Sequence, residues 1–123
     1  MGKITQFEDL NCWKLSRTLV KDIYRISNTG YFKKDFGLRD QIQRASVSIM
    51  TNIAEGFARY NTNDSIRFLN FSQSSASEVR SLLYVAEDLN YITKEEAEDL
   101  RNRANECKKM ILALIKHMKS RPK

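Results

Sequence analysis

Apolar residues recur along this chain at steps of three and four, the spacing of a helix face, in four long segments. In the first, 8–29, Cys12, Leu15, Leu19, Ile23 and Ile26 form one stripe. Glu8 and Asp9 favour its start through the helix dipole, and Gly30 ends it. The second, 38–60, carries Leu38, Ile42, Ala45, Ile49 and Ile53, with Gly56 on the same side. The polar knot Asn61-Thr62-Asn63-Asp64 then supplies a turn, in which Asn63 or Asp64 can cap the next helix. That third helix, 65–90, places Leu69, Ser72, Ala76, Val79, Leu83 and Ala86 on one face. The fourth, 94–119, opens with the capping box Thr93-Lys94-Glu95-Glu96. It continues as a heptad series of Ala97, Leu100, Ala104, Cys107, Ile111, Leu114 and Met118. Helices this long on short connections must run antiparallel to their neighbours. The pattern predicts an all-α protein, one antiparallel up-down-up-down four-helix bundle over residues 1–123. The aromatic connection 30–37 is expected to cover one end.

Composition narrows the alternatives. One proline (Pro122) and four glycines are too few for the turns of a β-sandwich or barrel. No apolar run reaches the length of a membrane span. The first residues carry Glu8 and Asp9 and no apolar stretch, unlike a signal peptide, and Gln6 stands where myristoylation of Gly2 needs Ser or Thr. The expected location is the cytoplasm, with no membrane partner. Cys12 near a helix end and Cys107 in mid-helix should differ in height by about 10 Å, at about 1.5 Å per residue. Two buried thiols are therefore expected rather than a disulfide.

Some apolar residues exceed what a bundle needs. Val47, Met50, Ala54 and Ala58 lie away from the Ile49 stripe, and Leu10, Trp13, Val20 and Tyr24 away from that of Leu19. Two readings remain: a wide, irregular core, or faces that meet other copies of the chain in a homo-oligomer.

Residues 1–34 and 92–123 each carry a net charge of +4, which the middle of the chain reduces to +6 overall. The excess thus sits on the first and fourth helices, neighbours in this topology. Lys14, Arg17, Lys21 and Arg25 form a stripe beside Trp13 and Tyr24, and Lys108, Lys109, Lys116 and Lys119 follow the last acid, Glu106. Such clustering suits phosphate binding driven by counterion release, with aromatics to stack bases. A solvated face, with cations favouring the helix dipole, accounts for the same residues.

Catalytic chemistry finds little support. His117 is the only histidine, so histidine triads, multi-histidine metal sites and Glu-x-x-His diiron sites are excluded; no phosphate-cradling glycine loop occurs. The polar group Asn52, Glu55 and Arg59 sits one and two turns apart on the second helix. Glu55 and Arg59 suit a surface ion pair, or an interface network that fixes register, better than an active site. No enzyme, cofactor or metal is expected.

The segment Phe36-Gly37-Leu38-Arg39-Asp40-Gln41-Ile42-Gln43-Arg44-Ala45-Ser46-Val47-Ser48-Ile49, followed by Asn52-Ile53-Ala54-Glu55-Gly56-Phe57-Ala58-Arg59, resembles the central motif of a bacterial four-helix-bundle family. Its members were first known as open reading frames in intervening sequences of 23S ribosomal RNA genes, and it includes relatives of the accessory variability protein of diversity-generating retroelements. Phe7-Glu8-Asp9-Leu10 with Trp13, Phe68-Leu69, Ser75 to Glu78 and Leu89-Asn90-Tyr91-Ile92 also fit, so the resemblance covers 7–92. Departures are Lys33 for a proline, Phe36 for a tyrosine, Gln43 for an arginine and Ser74 for a glycine. The resemblance implies a cytoplasmic, non-enzymatic homopentamer without cofactor. It further implies RNA or DNA and a reverse transcriptase as partners, by analogy with the retroelement relatives. Ser48, Asn52, Glu55, Gly56, Arg59, Trp13 and Glu78 would then be structural or interface residues. The rival reading is a protein–protein interaction scaffold with no nucleic-acid role.

Overall fold

The computed structural model of the chain describes residues 3–120. A 3₁₀ turn, Phe7–Asp9, leads into α1 (Asn11–Ser27), a short α2 (Gly30–Lys34), α3 (Phe36–Ala58), α4 (Thr62–Asp88) and α5 (Lys94–Lys119), with no strand among the described residues. Side-chain contacts fix the directions. Ser75 bonds to Ser48, Ser72 to Ile49, and Ser65 lies against Gly56, so α3 and α4 run oppositely. Arg101 with Glu87 and Lys108 with Ser77 make α4 and α5 antiparallel too. Gln43 reaches Ser27, and Arg103 reaches Asp22, which closes the ring α1–α3–α4–α5. This is the four-helix bundle the periodicity predicts.

Leu19, Ile23, Ile42, Ile49, Ile53, Leu69, Leu83 and Ile111 are fully buried between the four long helices. Each such side chain is worth roughly 1.5–3 kcal/mol over exposure. The Thr93 and Glu96 side chains form the expected reciprocal cap of α5.

The boundaries depart from the expected ones for local reasons. The first helix starts at Asn11 and ends at Ser27 rather than spanning 8–29. Leu10 is extended and buried, and Phe7 packs edge-on against Trp13 at 5.1 Å, so the preceding turn folds back onto the bundle. The connection 30–37 is itself partly helical. Phe32 of α2 is fully buried, 5.4 Å from the Tyr91 ring, while Gly30 takes the left-handed φ of 60° that glycine tolerates. Asp35 caps α3 through Leu38 N at 3.1 Å, which moves that helix's start to Phe36, and the helix closes at Ala58. Asn61, not Asn63 or Asp64, caps α4 by accepting from Asp64 N at 3.2 Å.

Two stripe positions also move. Ser16 is buried where Leu15 is only half-buried, and its hydroxyl donates to Trp13 O at 2.8 Å, which satisfies it inside. At the end of α5, Ile115 points inward and Leu114 is half-buried. A strict seven-residue repeat drifts by about 20° per heptad on a straight helix, which brings Ile115 into the core beside Leu114, while Met118 of the series stays buried.

Candidate nucleic-acid interface

Lys14, Arg17, Lys21 and Arg25 all stand exposed on the outer side of α1. The first three, with Glu8, Trp13 and Thr18, line a shallow cleft of about 560 Å³. Trp13 is half-buried, held by Phe7 on one side, with the Arg17 guanidinium 5.8 Å from its ring centre. Among the described residues, Lys14, Arg17 and Lys21 lie within 4.0 Å of no carboxylate. Arg25 differs, because it turns toward Asp22 at 3.6 Å.

Asp22 is the hinge of the α1–α5 junction. It accepts from Arg103 Nη1 at 2.7 Å, and Arg103 also reaches Asp99 at 3.4 Å and Thr18 at 3.3 Å. The hydrogen bond from Arg103 is the main cause that holds the Asp22 carboxyl below its ordinary range. The junction is therefore neutralised at this height; Lys14 and Arg17, toward the N-terminus of α1, and Lys109 and Lys116, toward the C-terminus of α5, lie at the same end of the antiparallel pair, away from it. Lys109 and Lys116 project opposite the core face of α5, and Lys119 is also exposed. Lys108 turns the other way and donates from Nζ to Ser77 Oγ on α4 at 2.7 Å. Arg121 and Lys123 lie outside the described residues.

The motif residues of α3 gather along the α3–α4 seam. Asn52 donates from Nδ2 to the carbonyl and hydroxyl oxygens of Ser48, both at 2.9 Å, and Ser75 Oγ donates to Ser48 Oγ at 2.9 Å. A Cβ on Gly56 would meet Ser65 O at 3.0 Å and Leu69 Cγ at 3.1 Å, so α4 approaches as closely as glycine allows. Glu55 and Arg59 pair at 3.0 Å on the surface, and Arg59 lies 4.5 Å over the Phe68 ring. The three polar residues thus do not act as one trio. Asn52 turns to Ser48, while Arg59 and Glu55 turn to each other. Glu78 lines a polar cleft of about 390 Å³ beside Asp40, Gln41, Arg44, Ser48 and Ser75.

Several charged residues with tertiary roles carry no sequence signal. Arg103 and Asp22 meet only because the fold joins α1 to α5. Arg101 pairs with Glu87 at 2.7 Å and sits 3.9 Å over Tyr84; only its seven-residue spacing from Lys108 hints at a shared face. Cys12 and Cys107 are free and buried, as expected, and burial pushes the Cys107 thiol up to about 12 and raises that of Cys12 as well. Among the described residues no group of three or more His, Cys, Asp or Glu could hold a metal ion, and no helix is long and apolar enough to cross a membrane.

Known proteins bear on this arrangement in two ways. The crystal structure of a protein of unknown function from the S23 ribosomal protein family of Bacteroides thetaiotaomicron VPI-5482 is similar, with a TM-score of 0.78 and 28% identity. The match covers 85% of this chain and 98% of that one. No curated protein matches the chain. The sequence profile of the 23S rRNA-intervening sequence proteins matches residues 8–113, most of the bundle including the whole α3–α4 seam. The chain belongs to the family of 23S rRNA-intervening sequence proteins.

Proposed function

We propose that the chain is a non-enzymatic, cytoplasmic, self-associating bundle that binds structured RNA, alone or within a ribonucleoprotein, through the outer face of α1. One observation carries this reading. Lys14, Arg17 and Lys21 line one cleft with Trp13, Thr18 and Glu8, and none of the three cations lies within 4.0 Å of a described carboxylate. Cations left free in this way can exchange counterions for phosphates, which supplies affinity that falls steeply with salt. Lys109, Lys116 and Lys119 of α5, all exposed, add the same sign of charge toward the same end of the bundle. The likeness of the motif to retroelement accessory proteins makes a reverse transcriptase complex the natural ribonucleoprotein partner.

Self-association is supported by Val47, Met50 and Ala54, which remain half-buried on α3, and by Ala58, which is exposed. The resemblance suggests a pentamer. Fluorescence titration of the full chain with a structured RNA across a salt series tests the proposal. Binding with a steep salt slope supports it, and binding indifferent to salt would overturn it. The rival scaffold reading rests on the cleft of about 510 Å³ at the α2 end, where Tyr31 and Leu89 are exposed beside Lys34, Asp35 and Asn90. Capture of a defined protein by nuclease-treated bundle, with no RNA affinity, would favour that reading.

A further inference from the structure

The two flanks of α5 differ. Arg103 faces α1, whereas Arg101 and Lys108, two turns apart, face α4. Arg101 is only 9% exposed, lies 3.9 Å over the Tyr84 ring and donates to Glu87 Oε1 at 2.7 Å. Lys108 is held by Ser77 at 2.7 Å. On α4, Arg80 falls three residues after Ser77 and four before Tyr84, so it shares their face and sits between the two α5 cations. Its Nε is shut off from solvent and has no hydrogen-bond partner.

Three cations therefore stand in a row about 10 Å long, at about 1.5 Å per residue along α5, and only Glu87 pairs with any of them among the described residues. Arg80 is only part-buried and makes no ion pair or side-chain hydrogen bond among the described residues, so the guanidinium edge away from its sealed Nε is open to a phosphate. A row suits a polyanion better than a single anion. At one end Tyr84 is half-exposed, with one face on Arg101 and its ring open to stack a base.

The geometry points to the α4–α5 seam as a second nucleic-acid surface, a phosphodiester track for single-stranded RNA with Tyr84 as its stacking residue. It rests on the α1 reading only for the ligand being RNA. The track lies on the opposite flank of α5 from the Asp22–Arg103 junction, so one bundle presents two separate RNA surfaces.

The test is a titration of the full chain with an oligouridylate, followed through the arginine side-chain Nε–H resonances. The expected result is saturable shifts of the Arg80 and Arg101 signals. In parallel affinity measurements, the doubly substituted Arg80→Gln, Lys108→Gln chain should lose about 1.4 from its salt slope, at about 0.7 per single-strand phosphate contact. Oligouridylate binding with Arg80 and Arg101 silent, or an unchanged slope in a folded double variant, overturns the track and leaves the α1 reading standing. Seam shifts that persist in a chain whose α1 stripe is reversed to glutamate, with structured-RNA affinity also unchanged by that reversal, support the track and overturn the α1 reading. A wild-type chain that binds no RNA overturns both.

Discussion

Asp22 of α1 accepts a hydrogen bond from Arg103 of α5 at 2.7 Å, and this ion pair ties the two basic helices together. Asp22→Asn removes the charge attraction and keeps the shape. The pair is partly exposed, so the loss should be about 1 kcal/mol of stability at neutral pH, measured by urea unfolding. Because the carboxyl is held below its ordinary value, the folded state binds fewer protons than the unfolded state. Its contribution is complete above about pH 4 and is lost as pH falls through the lowered folded value. The gap between wild type and variant should therefore narrow as the unfolding pH drops from about 6 to about 3; a gap that widens would contradict the pairing.

Gly56 lets α3 and α4 touch. Alanine at this position improves helix propensity by about 1 kcal/mol. The new methyl would meet the Ser65 carbonyl at 3.0 Å, a backbone atom at the start of α4 that has little room to move. Overpacking of this kind costs about 1–3 kcal/mol, so Gly56→Ala should lower stability by about 1 kcal/mol net. Denaturant titration showing stabilisation would mean that the seam is looser than described.

Cys12 and Cys107 are buried, and burial raises the pKa of both thiols. The nucleophile in disulfide exchange is the thiolate. At pH 8 the native protein should leave Ellman's reagent unreacted over minutes, and denaturation should release two thiols per chain. One rapid equivalent from the native protein would show that the α1–α5 interior opens readily.

The half-buried Val47 and Met50 face of α3 is the proposed contact between copies. Light scattering should return a multiple of the 14.4 kDa chain mass, five for a pentamer. Val47→Glu with Met50→Glu should return a folded chain of 14.4 kDa, because an unpaired charge in a contact between copies is strongly unfavourable. A wild-type mass of one chain would refute self-association.

The helices and most of the core could be read from the sequence, because apolar spacing reports directly which side of a helix avoids water. Leu19, Ile49, Leu83 and Ile111 needed nothing more. Boundaries were less legible, since they depend on contacts between distant residues. The Phe7–Trp13 edge contact draws the first turn out of α1, and Phe32 against Tyr91 makes a helix of an expected loop. The α1 stripe was visible as a pattern of charge. The Asp22–Arg103 pair beside it was not, because the two residues are far apart in sequence and each looks like an ordinary surface residue. Lys108 belonged to the same basic run as Lys109, and only packing shows that it turns to Ser77.

Affinity of the α1 face for RNA is the property on which the proposed function depends. Lys14, Arg17, Lys21 and Arg25 should be reversed together to glutamate, and structured-RNA affinity compared with wild type across a salt series. Loss of three phosphate contacts, Arg25 being paired with Asp22, predicts a salt slope shallower by about 2.7, at about 0.9 per duplex contact, with the fold unchanged by circular dichroism. A folded variant that binds structured RNA with wild-type affinity and wild-type slope would contradict the account.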